Sequence, residues 1–86
     1  GEIITIGLRN QGRVPYNVTE FRAVLADGTI VNARDNTGNL KMVLEPGTER
    51  VYVVRVDVGT SSRVRSIIVK AVDTTSGKPV ETSINL

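Results

Sequence analysis

Cysteine, histidine and tryptophan are absent from the 86-residue chain, and aromatic residues make up only 3% of it. Without cysteine there can be no disulfide framework and no thiolate metal site, and redox chemistry says nothing about compartment. Without histidine or cysteine the common nucleophile–base pairs of acyl transfer cannot be assembled. The nine acidic residues are spread over strand-like and turn-like stretches, with no spacing that sets two carboxylates across a glycosidic bond. These absences point away from an enzyme and away from a cofactor. No uninterrupted apolar run is longer than that of Val51 to Val54, far short of the roughly 20 residues of a membrane-spanning helix. Tyr16, Phe21 and Tyr52 are the only aromatics, too few to build a stacking platform for single-stranded nucleic acid, so no nucleic-acid partner is expected.

What remains is a chain of Val, Ile and Leu with a hydrophobic content of 40%, a composition that favours sheet over helix. Its length suits one domain, residues 1–86, near the size at which a single core suffices. Net charge is +2, from 11 basic and nine acidic residues. Arg9, Arg13, Arg22, Arg34 and Arg55 could form a surface for a polyanion or an acidic glycan, but the acids interleave with them as on an ordinary mixed-sign surface.

The pattern organises around Glu45 to Val58, EPGTERVYVVRVDV. Pro46 pre-sets one backbone angle and Gly47 can take a positive φ, so a turn launches a strand dense in β-branched residues. Tyr52, Val54, Val56 and Val58 share its core face. Before it, Glu2–Arg9 alternates with Ile4, Ile6 and Leu8 on one face, and Asn10-Gln11-Gly12 breaks it. Pro15 keeps the following connection out of a central ladder. Val18–Ala26 reads as a strand with Thr19, Phe21, Ala23 and Leu25 inward. Asp27-Gly28 predicts a two-residue type I′ hairpin into Thr29–Arg34. After a polar loop at residues 35–39, Leu40, Met42 and Leu44 alternate in a short strand. A small polar loop at residues 59–62 precedes Val64–Asp73, and Val80–Leu86 closes the chain with Val80, Thr82, Ile84 and Leu86 on one face. Seven strands with turn signals at roughly eight-to-twelve-residue spacing predict an all-β, immunoglobulin-like β-sandwich of antiparallel strands. An open barrel is the structural alternative. The expected core is Ile4, Ile6, Phe21, Leu25, Leu44, Tyr52, Val54, Val56, Ile67 and Val69.

Two local motifs bear on sites. Residues 35–39, Asp-Asn-Thr-Gly-Asn, carry side-chain oxygens at alternate positions. With a single carboxylate and no EF-hand pattern they read as a tight loop, and no metal is expected. Asn17-Val18-Thr19 has the N-glycosylation acceptor form, meaningful only in an exported chain, and makes Asn17 the candidate modification site. Val80–Leu86 and Glu2–Arg9 carry little charge to defend a sheet edge. A contact through an edge strand, in a homodimer or with another protein, is therefore expected, with Ile3, Val24, Val51, Val53 and Ile84 as candidate interface residues.

The stretch ITIGLRNQGRVPYNVTEF, a strand ending in Asn-x-Gly followed by a Pro-containing connection and a Val-Thr strand, resembles the globular domains of archaeal cell-surface filament proteins: archaellins, archaeal type IV pilins and archaellum stator proteins. The stretch LEPGTERVYVVRVDV is similar to the turn and Val-rich strand of many secreted immunoglobulin-like adhesion domains. The resemblance implies a non-enzymatic, extracytoplasmic module at the cell surface that contacts a filament or surface-layer protein. A carbohydrate- or polyanion-binding module and a spacer domain of a larger adhesin are the alternatives. The chain opens at Gly1 directly into a strand pattern, without Met or signal peptide. It is therefore expected to be the soluble part of a longer secreted or membrane-anchored protein, with any membrane contact made by a segment outside it.

Overall fold

A computed structural model describes residues 1–38, 40, 42–59 and 63–86. Among them there is no helix, and seven strands follow in order: β1 Glu2–Arg9, β2 Tyr16–Leu25, β3 Ile30–Asp35, β4 Val43–Leu44, β5 Glu49–Val56, β6 Val64–Asp73 and β7 Pro79–Asn85. All pairings are antiparallel. They form one sheet in the order β1-β5-β3-β2-β6-β7, with β4 added to β2. The sheet curls into an open half-barrel. Its bend lies at β3, which pairs with β2 through residues 30–33 and then with β5 through residues 33–35, so that Ala33 belongs to both ladders. β1 and β7 are the two ends, and no ladder joins them.

Period-2 alternation decides the inner face. All ten expected core residues are buried, joined by Val18, Ala23 and Ala71. Tyr52 and Phe21 meet edge to face with ring centroids 5.5 Å apart, a contact that adds about 1 kcal/mol to their area burial. With so few aromatics, this pair supplies the largest side chains of a core otherwise built from Ile, Leu, Val and Ala.

Three expectations are corrected. Thr19 does not face inward: a β-bulge between Val18 and Glu20 leaves it out of the β2–β6 register, its hydroxyl donates to Lys70 O at 3.2 Å, and Val18 takes the buried position. One extra residue flips the alternation, which the sequence pattern cannot signal. The Asp27-Gly28 hairpin is not a two-residue type I′ turn. Only Gly28 has positive φ, at 90°, Gly28 N–H donates to Leu25 O, and Leu25 N–H donates to Thr29 O. This is the three-residue loop with glycine in the left-handed position. Finally, the strand expected over residues 40–44 pairs only at Val43 and Leu44, with Met42 exposed. Asn39, Lys41 and most of the expected loop at residues 59–62 lie outside the described residues.

The Pro46-Gly47 turn forms as expected: Thr48 N–H donates to Glu45 O at 3.2 Å, with Gly47 at φ 77°. It is held by Asn10, whose C=O accepts Gly47 N–H at 2.7 Å and whose N–H donates to Thr48 O at 2.9 Å. The Asn10 side chain is buried. Its Nδ2 donates to Val14 O at 2.8 Å and Leu44 O at 2.9 Å, and its Oδ1 accepts Gly12 N–H at 2.9 Å. One asparagine thus ties the end of β1, the connection to β2, the end of β4 and the turn into β5.

Candidate interaction surface

The geometry separates the five candidate interface residues into three places. On the outer face of β1 and β5, Thr5 opposes Val53 and Gly7 opposes Val51, with Ile3 one pleat further along β1. Ile3, Val51 and Val53 therefore share one face. Ile3 is 55% and Val51 53% exposed, while Val53 is half-buried. The Glu49 carboxyl lies over Gly7, opposite Val51, and Arg55 opposes Ile3, so charge borders the patch at both ends. Val24 stands apart, half-buried on β2 between Ile30 and Ser66. Ile84 lies on the inner face of β7 opposite buried Ile67.

The patch borders an open edge. Asn10 N–H bonds across to Thr48, and antiparallel alternation makes the even residues of β1 the ones bonded to β5. The backbone groups of Ile3, Thr5 and Gly7 face the side where no strand lies. Between this end of the sheet and β7 a seam opens, a cavity of about 220 Å³ whose lining includes Leu8, Tyr16, Val18, Val69, Ala71 and Val80. Sequence reasoning missed the seam. Its only signal was the Val80-x-Thr82-x-Ile84 alternation, which matters once β7 is known to be an end strand.

The remaining candidates divide similarly. Asn17 is the second residue of β2 and sits between Val43 of β4 and Val72 of β6. It is half-buried, with Oδ1 shielded from solvent and without a protein partner. Three of the five candidate arginines are paired locally. Arg22 pairs with Glu20 at 3.1 Å, and Arg34 and Arg55, directly opposed on β3 and β5, share Asp57 at 2.6 and 3.2 Å. Asp35 uses Oδ1 for the Thr37 N–H and hydroxyl and Oδ2 for the Leu40 N–H, the arrangement of a self-capped loop. Among the described residues no three His, Cys, Asp or Glu side chains converge as metal ligands.

Asp27 titrates below its ordinary value because it accepts the Thr29 N–H, and Asp73 does so because it accepts the Thr75 N–H. Both are turn caps, and the shift reports local backbone capture rather than chemistry. A wider depression of about 360 Å³ opens where β3 leaves β2. Its rim acids and base, Glu20, Asp35 and Arg34, are engaged in the contacts above. No protein-family model, curated protein or solved structure matches the chain.

Proposed function

We propose that the chain is a non-enzymatic, extracytoplasmic protein–protein interaction module, the soluble domain of an archaellum or pilus component that contacts a filament or surface-layer protein. The observation that carries the interaction reading is the apolar patch of Ile3, Val51 and Val53 lying against the open backbone edge of β1. An added strand would gain main-chain hydrogen bonds from Ile3, Thr5 and Gly7, while its outward side chains would extend the patch. Exposed apolar residues gathered beside an open strand edge whose own charges stand only at its two ends are what soluble monomers avoid.

The cell-surface part of the reading is supported by the resemblance of residues 4–21 and 44–58 to archaeal filament-protein and adhesion domains. The finer fold belongs with it: β1 and β5 as one layer and β3, β2, β6 and β7 as the other make an immunoglobulin-like sandwich joined at β3. The contact of Tyr52 with Phe21 between the two halves supports that layering.

The test is site-specific photo-crosslinking in intact host cells, with the crosslinker at Val51 and, as a control, at Thr75 in the exposed β6–β7 turn. A filament or surface-layer protein captured from Val51 but not from Thr75 is the expected result. Capture of cytoplasmic proteins alone would overturn the location, and equal capture from both positions would overturn the surface.

A further inference from the structure

The edge of β7 differs from that of β1 in what it leaves uncovered. Leu86 N–H donates to Arg65 O at 3.0 Å and Asp73 N–H donates to Lys78 O at 2.9 Å. With Ile67 opposite Ile84, Val69 opposite Thr82 and Ala71 opposite Val80, antiparallel alternation makes the even-numbered residues of β7 the ones bonded to β6. Glu81, Ser83 and Asn85 turn their backbone groups outward, to the end of the sheet. On the inner face Val80 is 40% exposed and Thr82 is exposed, whereas Ile4 and Ile6 of β1 are already 8% and 4% exposed. A strand added at β7 therefore covers inner-face apolar surface that a strand added at β1 would not.

We propose that a second copy of the chain covers this edge, with β7 pairing antiparallel to its counterpart about a two-fold axis through Thr82. The register is self-consistent at each level. Backbone parity matches, because Glu81 and the partner's Ser83 both present outward groups and can exchange two bonds, and the reciprocal pair does the same. Faces match: Val80 meets the partner's Ile84, and Thr82 meets the partner's Thr82, all on the inner side. Charges match, since Glu81 opposes a serine across the new ladder and Lys70 across the existing one. Pro79 falls at the ladder end opposite the partner's Asn85, where its carbonyl accepts the N–H of the partner's Asn85 and the carbonyl of the partner's Asn85, lacking a proline donor, is left to solvent.

Size identifies the occupant further. The seam cavity of about 220 Å³ is below the roughly 300–1,000 Å³ of small-molecule pockets. It suits an inserted side chain, and the partner's Ile84 arrives beside Val80 at its wall. An edge of seven residues is about 24 Å long, which places the contact among interfaces under about 1,200 Å² and makes the dimer weak and concentration-dependent. The surface partner proposed above is not required for it.

The chain has no cysteine, so engineered thiols report the register without background. Thr82→Cys places two sulfurs at a non-hydrogen-bonded pair about 4.5 Å apart at Cα, within disulfide reach. Val80→Cys places them about four residues, or roughly 13 Å, apart along the strand. With oxidised glutathione as oxidant, Thr82→Cys is expected to cross-link to a covalent dimer and Val80→Cys to remain uncross-linked. Sedimentation equilibrium of the wild type is expected to show mass rising toward twice the monomer with concentration. Ser83→Pro, which removes an outward N–H and no bond to β6, should weaken association about tenfold or more. A strict monomer at millimolar concentration, or equal cross-linking of the two thiol variants, overturns the proposal. Ile3→Lys should leave the dimer intact; its loss would move self-association to β1 and refute the β7 register without touching the surface-partner reading.

Discussion

Replacing Asn10 with alanine is expected to destabilise the fold by about 3–4 kcal/mol. The side chain makes three hydrogen bonds, to Val14 O, Leu44 O and Gly12 N–H, and is 4% exposed. Each bond contributes about 1 kcal/mol net, and a carbonyl left buried without its donor adds about 1 kcal/mol or more. The Leu44 carbonyl is the one most enclosed, since Leu44 is itself buried. Against the total of roughly 4–13 kcal/mol for a domain of this length, that loss is at least about a quarter of the stability. Urea unfolding followed by far-ultraviolet circular dichroism should show a lower midpoint with an unchanged slope.

Asn10→Asp makes the reasoning sharper. It keeps the acceptor for Gly12 N–H but sets a carboxylate oxygen against two carbonyls. The buried carboxyl would titrate above its unfolded value, so its penalty is absent in acid and grows as pH rises through the unfolded pKa, levelling off above the folded one. Asn10→Asp should therefore be the less stable variant at neutral pH and recover relative to Asn10→Ala in acid. A loss below 1 kcal/mol for alanine, or no pH dependence in the difference between the two variants, would refute the assignment of Asn10 as the tie between β1, β4 and the turn.

Tyr52→Phe is expected to be neutral or stabilising by about 1 kcal/mol, because the Tyr52 hydroxyl is buried without a protein partner; a clear loss in a urea midpoint would contradict this. Val54→Ala, at a position fully buried between Ile4 and Asp35 in the ladders, should cost about 2 kcal/mol through lost burial and a residual cavity, read in the same assay. The lowered titration of Asp27 and Asp73 means that the unfolded chain binds more protons than the folded one in acid. Their stabilisation is full above the ordinary carboxylate range and is lost as pH falls through the lowered values. Asp27→Asn with Asp73→Asn should flatten the acid limb of a stability profile, and an unchanged limb would remove these turns as its source.

The core was legible because period-2 alternation of Val, Ile and Leu states which side chains share a face; even in Val64–Asp73, where both faces carry apolar residues, Ile67, Val69 and Ala71 are buried and Val64, Ile68 and Val72 only half-buried. The turn at Pro46-Gly47 was legible for a similar local reason. Thr19 was misplaced because a bulge depends on the partner strand's register, which no single strand records. At Asp27-Gly28 the dipeptide announced a hairpin, but the number of loop residues was set by where Leu25 and Thr29 close the ladder. The Asn-x-Gly sequence at Asn10 was read as a strand breaker; of its side-chain partners Gly12 and Val14 are local, but Leu44 and the Gly47–Thr48 backbone that complete its role lie far along the chain. The interface candidates were chosen by exposure on isolated strands, so Ile3, Val51 and Val53 converge only through the β1–β5 register. The seam exists because β1 and β7 are the ends of one sheet, a fact of strand order alone.

That strand order also sets a timetable. β6 and β7 are joined by a short turn, as are β2 and β3, but Arg9 meets Glu49, with β2, β3 and β4 between them in the chain. Closing so long a loop is entropically slower than closing a hairpin. During synthesis Ile4, Ile6 and Leu8 must leave the ribosome well before Tyr52 and Val54 exist to cover them. The first strand made thus spends the longest time as an unsatisfied apolar ribbon. A nascent-chain chaperone would meet the protein there, and conditions that slow translation between β1 and β5 should raise its aggregation more than a pause after β6.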